Sequence, residues 1–147
     1  MIGSRRRKYL TSLSLSNVLV IRRLRCCHCS RIHHELPDIL VPYKRYAGEA
    51  IEPVVADEPE LSVAVDESTL MRWRHWFAEC AEHFAGCLES IRIRYGHCSV
   101  KGPSEHPLSV LQRIWHYVGD TPAWLARIVR PIANTNQWIH TRSAFLS

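Results

Sequence analysis

The chain has no acidic residue before Glu35, no Cys-x-x-Cys pair besides Cys26 and Cys29, and no Lys or Arg between residues 47 and 71. Within the first 34 residues the longest apolar run is Val18 to Ile21. Four residues make neither a signal-peptide core nor a membrane span, and Arg22 and Arg23 follow at once, so neither export nor membrane insertion is expected. That basic, Ser-containing start resembles a transit peptide only in composition. The six cysteines (Cys26, Cys27, Cys29, Cys80, Cys87 and Cys98) are too unevenly clustered for a secreted disulfide framework. A cytoplasmic protein is expected, nucleoid-associated if it meets DNA.

Missing catalytic signatures narrow the function further. No glycine loop shaped for phosphates, Ser nucleophile motif or activated Cys setting is present. A three-carboxylate transposase needs acids gathered by an RNase-H-like sheet, and here the strand signals stop near His34. A nuclease built on His33, His34, Asn134, Asn136 and His140 would need a local ββα spacing that these residues lack. The expectation is therefore a protein that is not an enzyme.

What is present is charge in blocks. Residues 1–46 hold ten basic and two acidic side chains, a net +8; residues 47–71 hold seven acids, a net −7; residues 72–147 carry a net +4. A basic first third ahead of an acidic segment is the asymmetry of a chain whose start meets a polyanion, although solvated charge also serves solubility alone. Arg5, Arg6, Arg7, Lys8, Arg22, Arg23 and Arg25 are the candidate phosphate contacts.

Soft metal ligands crowd the segment from Cys26 to His34. The Cys26/Cys29 spacing lets a tight turn aim two thiolates at one tetrahedral Zn²⁺, with β-prone segments on either side as the arms of a knuckle. A closed site needs four ligands. His28, His33 or His34 would have to supply the others, and the competing reading is of free thiols in a reducing compartment.

The 147 residues, 46% hydrophobic, suit one compact domain with a small appendage. The pattern predicts an α+β fold, mostly α. A partial zinc-ribbon β segment covers 1–41, with strands over Arg6 to Leu10, Val18 to Leu24 and Arg31 to His34. A helical domain covers 42–147. Its first helix is expected from Tyr43 to Val55, kinked by Pro53. The long central helix starts at an Asp66 N-cap, carries a stripe of Leu70, Trp73, Phe77, Cys80, Phe84, Cys87, Leu88, Ile91 and Tyr95, and ends with Gly96 at C′. At about 28 residues it spans roughly 42 Å. Cys80 and Cys87 read as core thiols, and His83 is assigned no chemistry. A helix opened by Ser104 and Pro107 is expected to run to Gly119, and another from a Thr121 N-cap to a stop at Pro131. The tail is expected to be polar, with Trp138 and Phe145 as isolated anchors and Trp115, Trp124 and Trp138 packing on the long helix.

A helix from about Tyr43, an acidic turn and a second helix from Asp66 have the layout of a helix-turn-helix unit over about 43–95. Ser68, Thr69, Arg72 and Arg74 would then face DNA from the second helix. A long solvated helix with incidental arginines fits the same residues.

The string Ile21-Arg22-Arg23-Leu24-Arg25-Cys26 through His33-His34-Glu35-Leu36-Pro37-Asp38, then Pro42-Tyr43-Lys44-Arg45-Tyr46 and Glu67-Ser68-Thr69 with Arg72-Trp73, resembles a bacterial family recorded mainly as a domain of unknown function. Later blocks extend the resemblance: Ile114-Trp115-His116-Tyr117-Val118-Gly119, Arg130-Pro131-Ile132, and Asn134-Thr135-Asn136 with Trp138-Ile139-His140-Thr141-Arg142-Ser143. The resemblance implies a mobile-element, transposase-related protein with an N-terminal zinc ribbon of two Cys-x-x-Cys knuckles and a helix-turn-helix. Ile2 to Arg7 resembles the stretch that follows the first knuckle, so the chain is expected to lack that knuckle. Carry-over of a Zn site reaches only Cys26 and Cys29, and Ser30 stands where such knuckles often have Gly. The expected function is DNA binding without chemistry. The alternative is an adaptor for a transposase or recombinase, or an inactive truncated fragment.

Overall fold

A computed structural model describes residues 1–28, 30–96, 108–135, 137–138 and 144–146. Strands β1 (Gly3–Leu10), β2 (Ser16–Arg25) and β3 (Ile32–Leu36) form an antiparallel meander, and β4 (Ala144–Leu146) adds to β3 in parallel, giving the order β1-β2-β3-β4. Between β3 and β4 lie α1 (Gly48–Val55), α2 (Glu67–Arg94), α3 (Val110–Val118) and α4 (Trp124–Asn134). The fold is α+β and mostly α, as expected. The strands run longer than their sequence signals, because pairing with a neighbour extends β structure over residues of indifferent propensity.

The register Arg5↔Ile21 and Arg23↔His34 divides the sheet into two faces. Arg5, Arg7, Ile21, His34 and Leu36 share one face, while Arg6, Lys8, Val18, Val20 and Arg22 share the other. Ile21 and Leu36 are buried in the same apolar cluster as Val41, Ile51, Phe84 and Ile128, so sheet and helices close over one core.

Helix α2 follows its local signals. Asp66 accepts the Thr69 N–H at 2.8 Å as N-cap, and Gly96 takes a φ of +78° at C′. Trp73, Phe77, Cys80, Phe84, Cys87 and Leu88 are buried along it, whereas Tyr95, expected on the stripe, is 69% exposed beyond the helix end. Trp124 meets Phe77 edge-on at 5.6 Å, and Trp138 stacks on Phe84 at 5.0 Å.

Four expectations need correction. The first helix begins at Gly48, not Tyr43, because Tyr43 adopts a left-handed φ of 63° and Tyr46 and Ala47 are held in isolated bridges to Leu10 and Leu40. Pro53 falls in its last turn and the helix closes at Val55, so there is no long segment to kink. Pro131 does not stop α4, which runs on to Asn134 because Ile132 and Ala133 are buried in the core. The strand pattern does not end at His34, since β4 near the C-terminus pairs with β3. Ser104 and Pro107 lie outside the described residues, and α3 opens on a Ser109/Gln112 capping box.

A side chain distant in sequence caps α4. Ala123 at its N-cap has no side chain able to accept, and buried Glu52 of α1 accepts the Ala123 and Leu125 N–H groups, each at 2.9 Å. Arg127 secures the preceding turn by donating to the carbonyl oxygens of Val118, Thr121 and Pro122.

Candidate nucleic-acid interface

The inner face of β1 and β3 forms one wall of a cleft of about 580 Å³, and the Pro42–Arg45 turn forms the other. Arg5, Arg7, His34, Lys44 and Arg45 line it over an apolar floor of Ile21, Ile32 and Leu36, Lys8 borders it from a strand position whose side chain belongs to the outer face, and among the described residues no carboxylate lines it. Its shape depends on the turn being lashed to β1. The Leu10 N–H donates to Arg45 O at 3.0 Å, the Ala47 N–H donates to Leu10 O at 2.8 Å, and Arg7 Nη2 donates to Lys44 O at 3.0 Å.

The cations of the cleft are not equivalent. Arg5, Lys8 and Arg45 make no ion pair among the described residues. Arg7 is half-buried, and burial followed by the charge of Arg5 pushes its pKa below the ordinary value. The Lys44 ammonium lies 4.1 Å over the Trp76 ring, so that charge is turned out of the cleft, and burial lowers its pKa. His34 is lowered by burial first and then by Arg5, Arg23 and Arg7. A cluster that depresses its own basic groups gains most from an anion, because an anion lowers the repulsion and compensates the lost solvation.

The remaining expected contacts are spread elsewhere. Arg6 is on the outer face, and Arg22 there is a two-point partner of Glu35. Arg23 sits opposite His34, with Arg25 exposed at the strand end. At the start of α2 the donors turn inward. Ser68 and Thr69 hydroxyls both serve the Asp66 carboxylate, Arg72 donates to Ser68 O at 3.1 Å and Thr69 Oγ1 at 2.7 Å, and Arg74 pairs with Asp57 at 3.1 Å. The hydrogen bonds that Asp66 accepts from Ser68 and Thr69 hold its carboxyl down at about 2. A negative cap with Glu67 beside it would repel a phosphate arriving at this helix end.

The knuckle candidate is the turn joining β2 to β3. Cys26 N–H donates to Arg31 O at 2.9 Å, Ser30 N–H donates to Cys26 O at 3.0 Å, and Ser30 has a φ of 56°, the left-handed conformation for which such turns favour Gly. Cys29 lies outside the described residues, as do Asn136 and His140. Among the described residues no group of three or more His, Cys, Asp or Glu could hold a metal ion. His33 and His34 point to opposite sheet faces, so the two imidazoles do not converge. His83, assigned no chemistry, bonds through Nε2 to Gln137 O at 2.8 Å and approaches Cys87 Sγ at 3.3 Å, tying α2 to the end of α4.

Sequence reasoning found Arg5, Arg7 and Lys8 but missed Lys44 and Arg45, whose turn was expected to be the first part of a helix. The signal available was Pro42 before an aromatic and two basic residues. Among the described residues, no helix is long and apolar enough to cross a membrane. A family model described as Domain of unknown function (DUF6431) matches residues 1–73, which include every residue that lines the cleft. No curated protein and no solved structure matches the chain.

Proposed function

We propose that the protein binds DNA, without chemistry of its own, as a cytoplasmic component of a mobile element. The observation that carries this reading is the cleft lined by Arg5, Arg7 and Arg45 with no carboxylate among the described residues of its walls. Sequence-independent contact to phosphates is what such a cluster favours, and it releases counterions in proportion to the phosphates met. The basic sheet face therefore carries the main interface. Arg72 and Arg74 of the helix-turn-helix layout, already spent on Ser68, Thr69 and Asp57, make a lesser contribution.

Zinc held by Cys26 and Cys29, with ligands from outside this turn, would clamp the β2–β3 hairpin and so steady the floor of the cleft. Metal bound there would be structural. The adaptor for a transposase or recombinase remains the second reading, favoured by Val18 and Val20, which stand exposed side by side on the outer sheet face.

A salt series decides between them. Log affinity for DNA should fall linearly with log salt, and neutralising Arg5, Arg7, Lys8 and Arg45 together should flatten that slope. Absence of a complex with any DNA, single- or double-stranded, at physiological ionic strength would discard this function in favour of the adaptor.

A further inference from the structure

The cleft carries more than charge. Tyr43 stands at its rim, 63% exposed, with its backbone at a φ of 63°. A bulky residue in the left-handed region is a strained outlier that persists only where its surroundings over-determine it. Here they do. Pro42 before it is buried, the Lys44 N–H after it donates to Val41 O at 3.1 Å, and Lys44 O is held by Arg7. The turn thus fixes the backbone of an exposed aromatic residue at the mouth of a basic cleft, whose floor holds Ile32, 36% exposed, with Ile21 and Leu36 at the back.

A duplex cannot use that floor. Its bases are stacked inside, it presents phosphates on a convex surface, and its major groove alone is about 12 Å wide. A single strand brings phosphates and bare base faces together, matching a groove in which cations flank apolar and aromatic surface. We propose that the cleft takes a short segment of single-stranded DNA in preference to an intact duplex, with Arg5, Arg7 and Arg45 on its phosphates and a base stacked on Tyr43. This rests on the DNA-binding reading above and names the form of DNA that the cleft selects. An acidic peptide meets the charge requirement but leaves the ring and floor unmatched.

The full chain is titrated with a labelled thymidine oligomer, a hairpin duplex of the same length and poly-glutamate, each across a salt series. The oligomer should bind at least about tenfold tighter than the duplex, with a log–log salt slope of about −2 for three phosphate contacts on a single strand. Tyr43→Gly suits the test, because glycine accepts the left-handed backbone and removes the ring without straining the turn. Oligomer affinity should drop about five- to hundredfold in that variant, the worth of one base–aromatic stack, while duplex affinity holds. Tyr43→Phe should retain the oligomer affinity. Equal affinity for oligomer and duplex, or equal losses in Tyr43→Gly, would overturn the single-strand inference while leaving DNA binding standing. Poly-glutamate binding as tightly as the oligomer would overturn it too, since charge alone would then suffice. Failure to bind either DNA would remove the underlying function as well.

Discussion

Replacing Glu52 by Ala should destabilise the protein by about 2–4 kcal/mol, through a contact between residues more than seventy positions apart. Glu52 is only 7% exposed, and its two carboxylate oxygens are the acceptors for the Ala123 and Leu125 N–H groups. The two donors fare differently once that acceptor is gone. Leu125 is fully buried, so its N–H would be orphaned at about 1–3 kcal/mol, whereas Ala123 is exposed and can turn to water. Loss of the Cγ methylene from a packed site adds about 1 kcal/mol. Partly offsetting this, the variant no longer buries a carboxylate whose pKa burial raises against the opposing pull of the Leu125 and Ala123 hydrogen bonds and Arg127. Glu52→Gln should cost less, about 1–2 kcal/mol, because one amide oxygen still accepts while the amide nitrogen faces the other donor. Denaturant unfolding of the three chains measures this, provided the m-value is unchanged. A loss below about 1 kcal/mol in Glu52→Ala, in the range of an ordinary surface substitution, would refute the view that Glu52 caps α4.

Asp66, whose carboxyl is held from 3.8 down to about 2, contributes stability above its unfolded pKa and loses it as pH falls toward 2, so Asp66→Asn should show a flatter acid limb in unfolding; an unchanged limb counts against the cap. Purified protein should hold Zn²⁺ weakly or substoichiometrically, and Cys26→Ser should remove most of it while Cys87→Ser, in the core, should not; metal analysis giving one tightly held ion per chain would contradict this. Arg72→Ala should scarcely change DNA affinity, because that guanidinium is already bonded within α2, whereas a loss of about 1–3 kcal/mol confined to one preferred site would return the recognition role to α2.

How much of the fold could be read from the chain depended on how local its causes were. The Asp66 cap, the apolar stripe to Leu88 and Gly96 at C′ all act within a few residues, and α2 was legible from end to end. The β1–β2–β3 meander was legible in order, though not in length. Glu52 capping α4 was not, because a carboxylate in one helix becomes a cap only when folding brings the other helix to it. Nor was β4: Ala144–Leu146 is too short for a periodic signal, and its parallel pairing with His34–Leu36 is set by the helices that carry the chain back to the sheet.

The cleft shows the same division within one site. Arg5, Arg7 and Lys8 were legible as a basic run, and strand alternation by itself would split Arg5 and Arg7 from Arg6 and Lys8. Which face would matter was not legible, because that required the turn at Pro42–Arg45, and the turn owes its place to Leu10 and Arg7, over thirty residues earlier. Once the turn is fixed, Lys44 and Arg45 part company: one ammonium settles over Trp76 and stiffens the wall, and the other cation stays exposed at the mouth. The same fixing forces Tyr43 into the left-handed region. Backbone order at that position means that the chain itself has little left to order when a base meets the residue, and the cost of binding falls on the side chain alone. What separates Tyr43 from the exposed Tyr95 is its surroundings: Tyr95 lies past the end of α2 and lines a different groove, with Leu88, Ile91 and Tyr117, whereas Tyr43 shares its cleft with Arg5, Arg7 and Arg45.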